Sequence, residues 1–228
     1  MSSPRATLAL ALLLAAGCAR VVRYPLDDVP RLGGGPFAGG RLAVQELRDE
    51  RTFPCFAPAR PLFSQAAVIR RDGTDWYCNR DDEYEGRAVS QQVTAMLVEH
   101  LQATGLFAEV AAGDGGTAEY VLSGALERFE GVRARHAVAE ALAAQMGLLG
   151  FVAAATQRAR YRGDARLGGL RLVRTADGAV LWEGSAEGSV EGTGSVSASE
   201  VAVYHHAEMA LRAAVNRLVA QLAEVRPR

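Results

Sequence analysis

Hydrophobic and polar residues alternate in short stretches along most of this chain, and only a few segments show the three-and-four spacing of a helix. Residues 41–47 alternate well enough to form a first strand, which ends in the charged turn 48–51. Residues 66–70 and 76–78 are short strand candidates around Asp72-Gly73, a hairpin signal. Residues 87–104 place Val89, Val93, Met96, Leu97 and Leu101 on one helical face, with Gly105 positioned as a left-handed stop. A short strand over 106–110 and a glycine-rich turn at 113–116 precede a longer strand over 119–132, where Tyr120, Leu122, Gly124 and Leu126 share a face. Residues 162–175 and 179–190, joined by Asp177-Gly178, predict a second hairpin with Leu170, Leu172, Val180 and Trp182 turned inward. A closing helix opens on a capping box of Ser197 and Glu200 and carries Val201, Tyr204, Ala207, Leu211, Val215, Leu218 and Leu222 on one face. This order predicts an α+β fold: one domain, its mostly antiparallel sheet packed by amphipathic helices.

The amino-terminal end has a different character. One positive charge at Arg5, an apolar run over 8–14 and small residues at Ala15, Ala16 and Gly17 make a signal peptide, too short to stay across a bilayer. The stretch Leu14-Ala15-Ala16-Gly17-Cys18 resembles the lipobox of bacterial lipoproteins, with Ala15 where Leu is more usual. That resemblance implies cleavage before Cys18, which becomes residue one of the mature chain and carries the lipid. Each buried methylene contributes roughly 0.8 kcal/mol, so several acyl chains anchor a protein where one would be marginal. Ala19 follows the cysteine where Asp would hold enterobacterial lipoproteins at the inner membrane, so the resemblance implies the periplasmic face of the outer membrane. The expected organisation is a signal peptide over 1–17, a lipidated Pro- and Gly-rich tether over 18–40, and a periplasmic domain over 41–228.

Composition narrows the partners. Hydrophobic residues at 49% suffice for a sizeable core, and 25 basic against 26 acidic residues leave no field to attract nucleic acid. With Cys18 assigned to lipid, Cys55 and Cys78 remain as a pair in an exported chain, and a disulfide between them is the natural inference. Closing a loop of about 24 residues would stabilise the fold by roughly 3 kcal/mol on a chain-entropy account. Two free thiols or a metal site are the alternatives, the latter weakened by the lack of nearby histidines.

Candidate chemistry is sparse. Residues 141–156 run without a charge for about 24 Å as a helix, short of a hydrocarbon core of about 30 Å. They can form a core helix, two short helices broken near Gly147 and Gly150, or a contact with lipid or a partner. In the last case Leu148, Leu149, Phe151 and Val152 are the candidate interface. His205 and His206 point about 100° apart on a helix and make a poor metal pair, so with Glu208 they read as a solvated face. The run Asp81-Asp82-Glu83 with Glu85 lacks the oxygen spacing of a calcium loop. Gly184, Gly188, Gly192 and Gly194 mimic a phosphate loop only loosely. No serine sits in a nucleophile elbow, so the expectation is a non-enzymatic protein without metal or cofactor.

The lipobox, the short Tyr24-Pro25-Leu26, the strand over 42–47, Val68-Ile69-Arg70-Arg71 before Trp76-Tyr77, the helix ending Gly105-Leu106-Phe107, the strand over 120–126 and the long terminal helix follow one another in an order that resembles the ABC-type transport auxiliary lipoproteins, the family of PqiC. That resemblance implies an envelope partner of an MCE protein or ABC transporter moving lipid between membranes. The alternative is similarity to the CsgG or LpoB group, in which a compact domain self-associates or serves a periplasmic enzyme or secretion channel.

Overall fold

The computed structural model describes residues 29–32, 34–52, 67–71, 74–78, 83–84, 87–134, 158–195 and 199–225. Strand β1 (Phe37–Val44) starts ahead of the alternation that begins at Arg41. Phe37 already belongs to the core: it is 1% exposed and stacks on Phe107 with ring centroids 5.1 Å apart. Short β2 (Arg48–Asp49), the hairpin of β3 (Ala67–Arg71) and β4 (Thr74–Cys78), and the small pair β5 (Glu83–Tyr84) and β6 (Arg87–Ala88) follow. Helix α1 (Val89–Thr104) buries the five predicted apolar residues and stops at Gly105, whose φ of 67° is left-handed. Then come β7 (Phe107–Ala112), β8 (Tyr120–Ala134), β9 (Arg158–Arg174), β10 (Val180–Ser195) and helix α2 (Ser199–Ala223).

These elements make an α+β domain whose main sheet runs β10-β9-β8-β1-β7. β8 organises it. One edge is zipped to β9 along nearly its whole length, while the other is shared by β1 at Tyr120, Val121 and Leu122, β2 at Ala125 and Leu126, and β4 at Val132, Arg133 and Ala134. β8, β9 and β10 form an antiparallel meander. β1 is parallel to both β7 and β8, because α1 carries the chain back before β7 begins. The Asp177-Gly178 turn is held by Arg174, which binds both Asp177 oxygens, and by the Ala179 amide on the same carboxylate. Both neighbours hold Asp177 near pKa 2, Arg174 more than the amide.

Both hairpin strands run longer than their hydrophobic pattern, and glycine explains why. Aligned across β8, β9 and β10 are the triplets Arg133, Tyr161, Gly192; then Gly131, Gly163, Val190; then Phe129, Ala165, Gly188. α2 lies on this face. A Cβ on Gly131 would stand 2.0 Å from the Val203 carbonyl oxygen, one on Gly163 1.8 Å from that of His206, and one on Gly188 2.0 Å from that of Ala210. Gly188 and Gly192 are therefore strand positions under a helix, which excludes the phosphate-loop reading. Val180 is a correction: it is 43% exposed, because it precedes a bulge between Val180 and Trp182 that breaks the alternation. Leu170 and Leu172 are fully buried and Trp182 packs partly against the core.

α1 lies beside α2 and runs the same way. Val89 lines one small cavity with Tyr204 and Ala207, and farther along His100 Nε2 meets Asn216 Oδ1 at 2.9 Å. Burial pushes the His100 imidazole below its ordinary 6.5, the Asn216 hydrogen bond opposes that, and the positive Arg212 adds to it. His100 is thus neutral in the fold.

Two stability measurements check this packing. Gly163→Ala should lower the urea midpoint by the equivalent of about 2 kcal/mol or more, since two backbones would have to part, whereas Gly39→Ala, with nothing within 4 Å of the new methyl, should change it little. His100 contributes stability that is present above the unfolded value of 6.5 and is lost as pH falls from there through its depressed folded pKa. The midpoint should therefore drop as pH is lowered from about 7.5 to about 5, and His100→Gln, which keeps a neutral partner for Asn216, should flatten that slope.

Candidate functional site

The described residues with unusual environments gather at the end of the sheet where β8 ends and β9 begins. β8 finishes at Ala134 beside Trp76 of β4, β9 starts at Arg158 beside Ser195 of β10, and the amino-terminal part of α2 crosses above them. The segment 135–157, which contains the apolar run 141–156, joins β8 to β9 at this pole.

Tyr161 is the centre of the pole. It is fully buried with Ala159 and Val203, and its ring stacks on His206 at 5.2 Å with 18° between planes. His206 sits this deep because Gly192 has no side chain: a Cβ there would come within 2.6 Å of His206 Nε2. Burial pushes the Tyr161 phenol up, against the pull of the positive Arg133 beside it in the row, so the hydroxyl keeps its proton. His205 meets His206 edge to face at 5.8 Å and 87°. Burial first, and the His206 ring second, hold His205 below its ordinary value.

The expectation of a solvated helix face at 205–208 is therefore corrected. Glu208 is fully buried and His206 is packed on an aromatic ring, because the three glycines let α2 sink until its flanks enter the core. The two imidazoles do not converge, and among the described residues no three His, Cys, Asp or Glu side chains gather as a metal set.

Next to this cluster, Arg51 is nearly buried and grips Asp49 with both ends of its guanidinium, at 2.8 and 2.7 Å. Those hydrogen bonds hold the Asp49 carboxyl below its usual range despite partial burial. Arg51 also lines the cavity with Val89, Phe129, Glu130, Gly131, Tyr204 and Ala207, whose ≈ 10 Å³ has room for about one water. A pocket for a small substrate needs several hundred Å³, so this cavity does not supply one.

Several residues singled out from the sequence lie elsewhere. Cys18, Cys55, Leu148, Leu149, Phe151 and Val152 are outside the described residues, as are Asp81, Asp82, Glu85 and Ser197. Cys78 closes β4, opposite Ala67 on one side and Val132 on the other. The sequence reading missed Gly131, Gly163, Arg133 and Tyr161. A signal was present in the four-residue spacing of Gly184, Gly188 and Gly192, which puts all three on one face of a strand and marks a surface made flat for a close neighbour.

No protein-family model matches the chain, and no curated protein matches it. Among solved structures it is similar to a DUF330 protein from Xanthomonas campestris, 18% identical over 85% of this chain and 89% of that one, with a TM-score of 0.44. It is also similar to a PelC dodecamer from Paraburkholderia phytofirmans, 15% identical over 86% of this chain and 94% of that one, with a TM-score of 0.37. Likenesses this distant carry no inference about activity or partners.

Proposed function

We propose that this chain is a lipid-anchored envelope lipoprotein, held through Cys18 at the periplasmic face of the outer membrane, that serves as a non-enzymatic auxiliary of an MCE or ABC-type lipid transport system. Its lipobox and order of elements support that reading, as does one observation on the fold: the chain's entry and the two strand ends that flank segment 135–157 lie at opposite poles. The chain enters near Leu32, whose amide donates to the Thr104 carbonyl where α1 ends, and Phe37 pairs with Phe107 at the same pole. Ala134 and Arg158, the roots of 135–157, stand at the other.

β8 alone has 15 residues and spans about 45 Å at ordinary strand rise, somewhat less where bulges bend it. Residues 18–28 fully extended reach at most about 40 Å. A tether of ordinary slackness therefore keeps the entry pole at the anchoring membrane and holds the far pole, where β8 ends and β9 begins, out toward a partner.

Affinity purification of the lipoprotein from membranes, with mass spectrometry of co-purifying proteins and extracted lipid, tests the proposal. An MCE protein or its transporter is the expected catch; recovery of its own copies alone, or of a secretion or cell-wall component, would sink it in favour of the CsgG- or LpoB-like reading. The paired change Leu149→Asp and Phe151→Asp should abolish capture and leave the urea midpoint in place. A collapsed midpoint would instead make these residues core.

A further inference from the structure

We propose that Asp114-Gly115, in the turn between β7 and β8, is a site of spontaneous covalent modification where the backbone rearranges to isoaspartate, while the matching pair Asp177-Gly178, in the turn between β9 and β10, is guarded by Arg174. The inference is independent of the transport reading and concerns how the folded chain ages.

The chain holds three Asp-Gly pairs, of which Asp72-Gly73 lies outside the described residues. In such a pair the following amide reaches the side-chain carboxyl most readily, because glycine has no Cβ to crowd the approach and leaves the backbone free to turn. The glycine nitrogen bonds to Cγ of a neutral carboxyl and gives up its proton. The bond from Cγ to the hydroxyl oxygen breaks, and that oxygen leaves as water, which closes a five-membered imide. Water then adds to one of the two ring carbonyls. Addition at Cγ restores aspartate. Addition at the main-chain carbonyl breaks its bond to the glycine nitrogen, so the chain now runs through Cβ and Cγ and the former backbone carbonyl becomes a carboxylate. One water leaves and one enters, with no oxidant and no change of mass. The rate therefore depends on how often the carboxyl is neutral and free to swing, and on how free the amide is to attack.

The two described pairs differ on each count. At Asp177, Arg174 Nε and Nη2 donate to the two carboxylate oxygens at 3.0 and 2.7 Å, and the Ala179 amide donates to one of them at 3.1 Å. The Gly178 amide is itself committed to the Arg174 carbonyl at 2.9 Å. Held at about 2 rather than 3.8, chiefly by Arg174, this carboxyl is neutral well over tenfold less often near pH 7. Asp114 is exposed, as Asp177 is, so water reaches both and bonding makes the difference. Among the described residues, neither the Asp114 carboxylate nor the Gly115 amide has a hydrogen bond. Gly113, with φ of 145° and nothing within 4 Å of where its Cβ would lie, gives Asp114 a second neighbour without a side chain. The hydrogen bonds that hold this turn run from the Gly113 amide to the Val44 carbonyl and from the Ala118 amide to the Gly115 carbonyl, and neither uses a reacting atom.

The test incubates the folded mature chain in neutral buffer for weeks and maps its peptides by electron-transfer fragmentation, which breaks the Cα–Cβ bond that only isoaspartate places in the backbone. Isoaspartate should build up at residue 114 at least about tenfold faster than at residue 177. In urea the unfolded chain should lose that difference. Arg174→Ala should raise the rate at 177 severalfold or more and leave the rate at 114 unchanged. Equal rates at the two sites of the folded chain would overturn the inference, as would a folded chain that forms none at 114 while the unfolded chain forms it there. An Arg174→Ala chain that keeps its urea midpoint and gains nothing at 177 would remove Arg174 as the guard. The comparison of two sites within one native molecule stands whether or not the variant folds.

Discussion

The backbone of α2 rests on the backbones of three strands with no side chain between them. Over Gly131, Gly163 and Gly188 even one methyl would collide with a helix carbonyl. The contacts fall at Val203 on β8, His206 on β9 and Ala210 on β10, a helical advance of about 10.5 Å. Two strand spacings come to about 9.6 Å. The helix therefore crosses the meander on a diagonal, one strand per turn, and its depth is set by glycine. Everything nearby inherits that depth. Leu211, Val215, Leu218 and Leu222 reach the core with residues to spare on either side, His206 can lie flat on Tyr161, and α1 fits alongside at the height where His100 meets Asn216.

Charge is sorted by the same sheet. The face of β9 away from α2 carries Arg162, Arg166 and Arg171, and acids reach them from β8 and β10: Glu127 on Arg166 at 2.8 Å, Glu183 on Arg171 at 3.7 Å and Glu191 on Arg162 at 3.8 Å. Exposed pairs of this kind contribute between zero and about 1 kcal/mol each, so they keep the face soluble rather than hold it together. Arg162 with Asp164 is the exception in geometry: both carboxylate oxygens are bound, at 2.8 and 3.1 Å, and the Asp164 side chain is only 6% exposed. It lies on the strand that both neighbours depend on for register.

How much of this was legible depends on how far each signal travels along the chain. α1, α2 and the β9–β10 hairpin rest on local periodicity and on Asp177-Gly178, and the sequence pattern finds them. The parallel pairing of β1 with β7 and β8 is set by where a crossover helix returns the chain, and alternation is the same in parallel and antiparallel strands. Phe37 stands among glycines and a proline, a composition that reads as tether, yet one aromatic ring with Phe107 and Tyr120 as neighbours is enough to begin a strand. Val180 was misassigned because a bulge resets the alternation without changing residue types. The pole at Tyr161 was invisible for a related reason: two histidines and a glutamate look solvated on a helical wheel, and only the missing side chains on three strands draw them inward.

Strand length ties these features to function. A domain built on short strands would keep all its loops close to the end at which its chain enters. Here β8, β9 and β10, at 15, 17 and 16 residues, hold the entry near Leu32 and the end of β8 at Ala134 at opposite ends of one sheet. The 25-residue α2, about 37 Å long, covers them on a diagonal rather than along their whole length. Because α2 crosses diagonally, its carboxyl-terminal half reaches the β10 edge at mid-strand, where Arg217 and Gln221 bind the carbonyls of Glu187 and Ser185. The glycines that set the helix's depth and angle thereby determine which stretch of the β10 edge α2 covers.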